Sequence, residues 1–200
     1  MKGSEILEEI LNGNRRFVRG ERTGICSPAN VDLRTMIQSQ SPIAAVLCCS
    51  DSRVPPEHIL DRKIGEIFVI RVAGEVPGTA VIGSLEYAVE HLKVVLLLVL
   101  GHENCGAVKA ALEGMGSKVD GALGDLIREL EPAVKPVLEQ EEQVENVLHE
   151  AVCANVWFTM NRILERSPLI ADAVQKGKVL LKGAVYSLQT GEVTTLEEEG

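Results

Sequence analysis

Along the first eighteen residues, apolar positions recur at helical spacing. Ile6, Leu7, Ile10 and Leu11 form a stripe that Phe17 and Val18 extend. Glu5, Glu8 and Glu9 crowd the first turns, where a helix dipole favours acids, and Ser4 stands where an N-cap belongs. The pattern predicts a helix, then a polar arm from Gly20 to about Arg34 that crosses the surface or reaches a second subunit. Three runs of a different kind follow: IAAVLC (43–48), EIFVIRV (66–72) and KVVLLLVLG (93–101). Each is a nearly continuous apolar stretch of strand length, as strands buried on both faces of a parallel sheet require.

Between the second and third runs, GTAVIGSLEYAVEHL (78–92) places Ile82, Leu85, Ala88, Val89 and Leu92 at helical spacing. Strand, crossover and strand in this order predict a βαβ unit. From about Gly121 the pattern is helical, first in ALGDLIREL and then from about Glu141 to Glu165. There Val144, Val147, Leu148, Ala151, Val152, Val156 and Ile163 share a face. KVLLKGAVYSL (178–188) reads as a late strand at a sheet edge. The expected fold is one α/β domain over residues 1–200, with a central, mainly parallel sheet flanked by helices. The helix and arm over 1–34 are expected to serve dimerisation, because the first helix has no evident docking surface within one chain.

Two hundred residues suit one domain with a real core. Aromatics are only 3% of the chain, so that core rests on Val, Leu, Ile and Ala. A net charge of -9 argues against nucleic acid or an anionic membrane as partner. The longest apolar run, VVLLLVL (94–100), has seven residues, against the ~20 needed to span a bilayer. The start lacks the apolar core of a signal peptide. The five cysteines (26, 48, 49, 105 and 153) match no small-domain disulfide framework. The expectation is therefore a cytoplasmic protein with reduced thiols.

Open α/β sheets bind ligands beyond the carboxyl ends of their strands. CCSDSR (48–53) directly follows one predicted strand and GHENCGAV (101–108) another. Side chains alternate across a strand, so Cys48 and Cys49 face opposite ways. Cys49, Asp51 and Arg53 share parity if the extended run persists, which sends Cys48 to packing. Cys49, His102 and Cys105 make a Cys2His set, the pattern of a catalytic zinc site with one position open. A structural site needs a fourth donor, for which Asp51, Cys48, Cys26 and Cys153 are the candidates. Seen singly, each of these residues has a plainer reading, as a small buried hydrophobe, a hydrogen-bonded histidine or a surface ion pair. Two ligand-rich strand ends in one sheet favour the metal. His58, His91 and His149 read as solvated.

CSDSR (49–53) followed by GHENCGAV (101–108) resembles the β-class carbonic anhydrases. The likeness extends through GNRRFVRGE (13–21), QSP (40–42), RVPPE (53–57), SLEYAVEHL (84–92) and VYSLQTGEV (185–193), nearly the whole chain. It implies one Zn2+ per chain on Cys49, His102 and Cys105, with an Asp51–Arg53 dyad beside the fourth position. It also implies a homodimer, often assembled further to a tetramer. Gln40 matches a glutamine of the plant-like branch, and Phe68 and Tyr87 match aromatic residues of that branch's substrate pocket. Ala73 stands where the plant enzymes have a pocket valine. The family's RNAGN stretch reads RVAGE (71–75), so Val72 and Glu75 replace asparagines near the mouth of the site.

The resemblance implies reversible hydration of carbon dioxide to bicarbonate and a proton. Zinc-bound hydroxide attacks the carbon, Asp51 orients it, Arg53 keeps Asp51 ionised, and the Gln40 amide polarises a substrate oxygen. Val46 occupies a position that is tryptophan in enzymes with a bicarbonate-regulated closed state, which with Gln40 favours a site that Asp51 leaves open. The rival readings are a hydrolase of carbon disulfide or carbonyl sulfide, and a zinc-binding or thiol-sensing protein without catalysis.

Overall fold

The computed structural model describes residues 2–23, 39–140 and 146–197. Cys26, Val144 and most of the polar arm lie outside them. The first helix, α1 (Gly3–Val18), starts earlier than Ser4 allows. Lys2 is its cap, and the Lys2 backbone N–H donates to Glu5 Oε2 at 2.7 Å. Ser4 therefore lies inside the first turn, and the capping contact is the one that the Glu5 carboxylate makes to the Lys2 N–H.

The apolar runs become β1 (Ala44–Cys48), β2 (Ile67–Arg71) and β3 (Leu96–His102). Every residue of β1 and β3 is buried, as continuous apolar strands demand. The late run becomes β4 (Leu180–Tyr186), and a short β5 (Val193–Thr195), which the pattern did not single out, covers its outer edge. Among the described residues the sheet order is β2-β1-β3-β4-β5, parallel but for the antiparallel β4–β5 pair. The helices are α2 (Pro56–Ile59), α3 (Thr79–Glu90), α4 (Gly106–Leu112), α5 (Gly121–Leu138), α6 (Val147–Arg166) and α7 (Pro168–Gln175). None among the described residues is long and apolar enough to cross a membrane.

The chain leaves β1 towards one side of the sheet and leaves β3 towards the other, so the topology switches between them. Crevices at such switch points, beyond the carboxyl ends of the strands, are where open α/β sheets take ligands. Cys48 pairs with Leu100, which sets the ends of β1 and β3 side by side. Helix α6 lies against this part of the sheet because Gly101 and Gly183 have no side chains. A Cβ on either would stand 2.6 or 2.7 Å from a methyl of Val156.

Contrary to the sequence expectation, α1 does have a docking surface within its own chain. Ile6 and Ile10 are fully buried. Arg62, itself buried, donates to Glu9 Oε1 at 2.6 Å and to the Glu9 carbonyl at 3.0 Å. Arg16 pairs with buried Asp61 at 2.6 Å. Asn14 is the clip that locks the helix down. Its Nδ2 donates to the carbonyls of Ile59 (3.0 Å) and Gly191 (2.8 Å), and its Oδ1 accepts from the Val193 N–H at 2.8 Å. Asn14→Leu keeps the volume but strands three backbone groups, and should cost about 3 kcal/mol of stability. Denaturant unfolding of the two proteins measures this, and a loss below about 1 kcal/mol would refute the clip.

Candidate metal centre

Cys49 is the first residue past β1, His102 ends β3, and Cys105 is the N-cap of α4. The chain returns from His102 to Cys105 within two residues because Asn104 takes a left-handed conformation (φ 53°) that asparagine tolerates. The two sulfurs and one imidazole nitrogen lie within 4.8 Å of one another, and all three residues are buried. The Sγ–Sγ separation is 4.0 Å, close to the ~3.8 Å edge of a tetrahedron with ~2.3 Å zinc–sulfur bonds. His102 Nδ1 is 2.8 Å from the Glu103 carbonyl oxygen, which makes Nδ1 the protonated nitrogen and leaves the Nε2 lone pair free. Nε2 is buried without a hydrogen-bond partner, which suits a ligand for a cation. Contact with the Cys105 sulfur lowers the Cys49 thiol's pKa, and the same contact raises that of Cys105. These residues fit a divalent zinc ion.

Of the other candidate donors among the described residues, only Asp51 borders the cluster, with Oδ2 4.0 Å from His102 Nε2. Cys48 is fully buried in packing, and that burial pushes its thiol up to about 12. Cys153 is half-buried one helical turn from His149, whose Nε2 lies 3.6 Å from its sulfur, so His149 is not simply solvated. His58 and His91 are exposed, and the His91 ring stacks at 5.1 Å on Tyr87.

Asp51 and Arg53 do pair, though not through strand parity. The extended run stops at Cys48 and a turn follows, in which the Arg53 N–H donates to Asp51 Oδ1 at 2.9 Å. The guanidinium then forks onto both carboxylate oxygens, at 2.9 and 2.7 Å. This contact holds the Asp51 carboxyl well below the usual carboxylate range. Arg71, at the end of β2, anchors the same loop by donating to the carbonyls of Cys49 (2.9 Å) and Asp51 (2.6 Å).

Ala73 opens a 3-10 turn (Ala73–Glu75) beside the cluster, where the Gly74 N–H donates to Cys49 Sγ at 3.4 Å. Phe68 and Tyr87 pair elsewhere, with ring centroids 6.2 Å apart and Tyr87 45% exposed. Gln40 is exposed ahead of β1, and no contact among the described residues joins it to the cluster.

Glu75 corrects an expectation. Rather than flanking the mouth it is 1% exposed, and neither carboxylate oxygen has a hydrogen-bond partner. Burial raises its carboxyl well above the ordinary value, and the neighbouring Cys49 charge raises it further. Below the unfolded pKa of ~4.3 both states hold the proton and nothing is lost. Above it only the unfolded chain releases the proton, so stability falls as pH rises towards the folded pKa. Glu75→Gln does not titrate, so it should stabilise the protein, and by more at about pH 8 than at about pH 5. Melting temperatures at the two pH values test this, and a gain that shrinks as pH rises contradicts it.

The carbonic anhydrase family pattern matches residues 44–193. A carbonic anhydrase of Mycolicibacterium smegmatis is 37% identical over 187 residues, covering 92% of this chain and 88% of the relative. Carbonic anhydrase 2 of Mycobacterium tuberculosis is 36% identical over 194 residues, covering 96% and 91%. Among solved structures, the Coccomyxa β-carbonic anhydrase in complex with acetazolamide aligns with a TM-score of 0.74 at 30% identity, covering 82% of this chain and 75% of that one. With its parallel sheet and its cysteine–histidine cluster at the switch point, the chain belongs to the β-carbonic anhydrase family.

Proposed function

We propose that this chain catalyses the reversible hydration of carbon dioxide with one Zn2+ held by Cys49, His102 and Cys105. The observation that carries the reading is the buried cluster of two sulfurs and an unpartnered His102 Nε2 at the ends of β1 and β3. When bound, zinc lowers the pKa of a coordinated water towards ~7 and so supplies hydroxide near neutrality. Asp51 Oδ2, 4.0 Å from His102 Nε2, would accept a hydrogen bond from an attacking O–H and so orient it towards the substrate carbon. The Arg53 fork keeps Asp51 ionised and engages both of its carboxylate oxygens, which supports a site left open by Asp51 near pH 8. Ala73 supplies apolar surface beside the cluster for a substrate without charge or dipole, and Phe68 and Tyr87, which pair away from their own subunit's cluster, supply more in the partner's site of a homodimer. The Gln40 amide donates to the substrate oxygen on which charge develops.

Self-association belongs to this reading. Gln40 makes no contact with its own subunit's cluster, so it acts in the partner's site of a homodimer or tetramer. Sedimentation combined with an activity assay should find activity only in the associated form. A fully active monomer would remove Gln40 from the reaction.

The direct test is stopped-flow carbon dioxide hydration alongside metal analysis. The zinc-loaded protein should be active with about one zinc per chain. Cys49→Ser should lose both metal and activity, whereas Cys48→Ala should keep both. Retention of zinc by Cys49→Ser together with its loss from Cys48→Ala would reverse the ligand assignment. Full zinc without hydration would leave a zinc-binding protein in place of an enzyme.

A further inference from the structure

Two backbone residues in succession, Gly74 (φ 64°) and Glu75 (φ 53°), take left-handed conformations immediately behind the metal cluster. Glycine adopts that conformation freely, but glutamate does so only when its surroundings impose it. The Glu75 side chain gains nothing in exchange, because its carboxyl is buried without a partner. The Glu75 N–H closes the turn by donating to the Val72 carbonyl at 3.1 Å, and packing on one side and a side-chain amide on the other hold it in place. A Cβ on Gly74 would stand 2.8 Å from Leu130 Cδ1 and 3.2 Å from Ala107 Cβ, so α4 and α5 leave no room for a side chain there. From α6, buried Asn155 donates its Nδ2 to the Gly74 carbonyl at 2.9 Å. The N–H of the same Gly74 points the opposite way and meets Cys49 Sγ at 3.4 Å.

We infer that Asn155 is a positioning residue for the metal centre: it fixes the strained 74–75 turn so that the Gly74 N–H stays hydrogen-bonded to the Cys49 thiolate. An N–H donor on a ligand sulfur draws charge away from the metal–thiolate bond, and such outer partners tune a metal site as surely as its ligands do. Asn155 suits this role because α6 sits close to the sheet over Gly101 and Gly183, so its anchor cannot drift. Asn155 and Thr159 are polar positions in a stripe otherwise formed by Ala151, Val152, Val156, Met160 and Ile163. A residue needed only for packing there has no use for an amide.

The inference rests on the zinc reading above, and the experiment separates the two. Wild-type protein is loaded with NMR-active cadmium, and amide protons coupled to the metal through hydrogen bonds are sought. The Gly74 amide should show such a coupling, next to the couplings from the cysteine and histidine ligands. Separately, cobalt-loaded wild type and Asn155→Leu are compared by absorption. Losing the hydrogen bond makes the Cys49 sulfur more electron-rich, so the thiolate-to-cobalt charge-transfer band should move to longer wavelength. If neither metal binds with thiolate signatures, the metal-centre reading fails. If both bind, while the Gly74 amide is uncoupled or the band is unmoved in a folded Asn155→Leu, the positioning role is wrong and the metal centre stands. Should that variant not fold, Asn155→Ala takes its place in the cobalt comparison, read for the same shift of the band.

Discussion

The site exists because β1 and β3, distant in sequence, are parallel neighbours in one register. Cys48 opposite Leu100 means that the residue after β1 and the last residues of β3 emerge together. Parallel strands direct their carboxyl ends the same way, so Cys49 and His102 meet without a long loop from either side. Because the sheet topology switches there, no crossover helix covers the gap. A slip of one residue in that pairing would exchange Cys48 and Cys49 and present the wrong sulfur. Close packing opposes the slip, since only glycine fits at position 101, where a Cβ would stand 2.6 Å from a methyl of Val156 on α6. The metal chemistry therefore depends on packing by residues that are not ligands.

Much of this was legible before any coordinates. Continuous apolar runs located the strands to within a few residues, and alternation separated Cys49 from Cys48, because both signals come from the strand's own period. What failed did so where a turn or a tertiary contact replaced that period. Asp51 and Arg53 meet through a turn that the strand rule does not describe. Ser4 lost the capping position to Lys2, whose N–H donates to the Glu5 carboxylate. The docking of α1 was invisible because its surface is assembled from Leu60, Arg62 and the strand termini, and only folding brings these together. Arg71 and Asn155 left faint signals, a cation at the end of an apolar run and an amide within an apolar helical stripe. Neither pattern says what the group binds.

Two carboxyls flank the cluster, and their surroundings drive them in opposite directions. Asp51 faces the open side under a bidentate guanidinium, which keeps it ionised. Glu75 lies on the inner side without a donor, and burial favours its protonated form. Opposed environments of this kind are how one site assigns separate roles to chemically similar groups. The assignment also balances charge. Two thiolates would neutralise a divalent ion held there, and the Asp51–Arg53 pair is neutral as a unit, so a protonated Glu75 adds no charge of its own. An ionised Glu75 would add an uncompensated buried anion beside the Cys49 thiolate, which low-dielectric surroundings penalise heavily. The strained backbone at Glu75 and the buried acid are thus tolerable together only while its proton stays in place, and the enclosure that raises its pKa is the same packing that presents the Gly74 N–H to the sulfur.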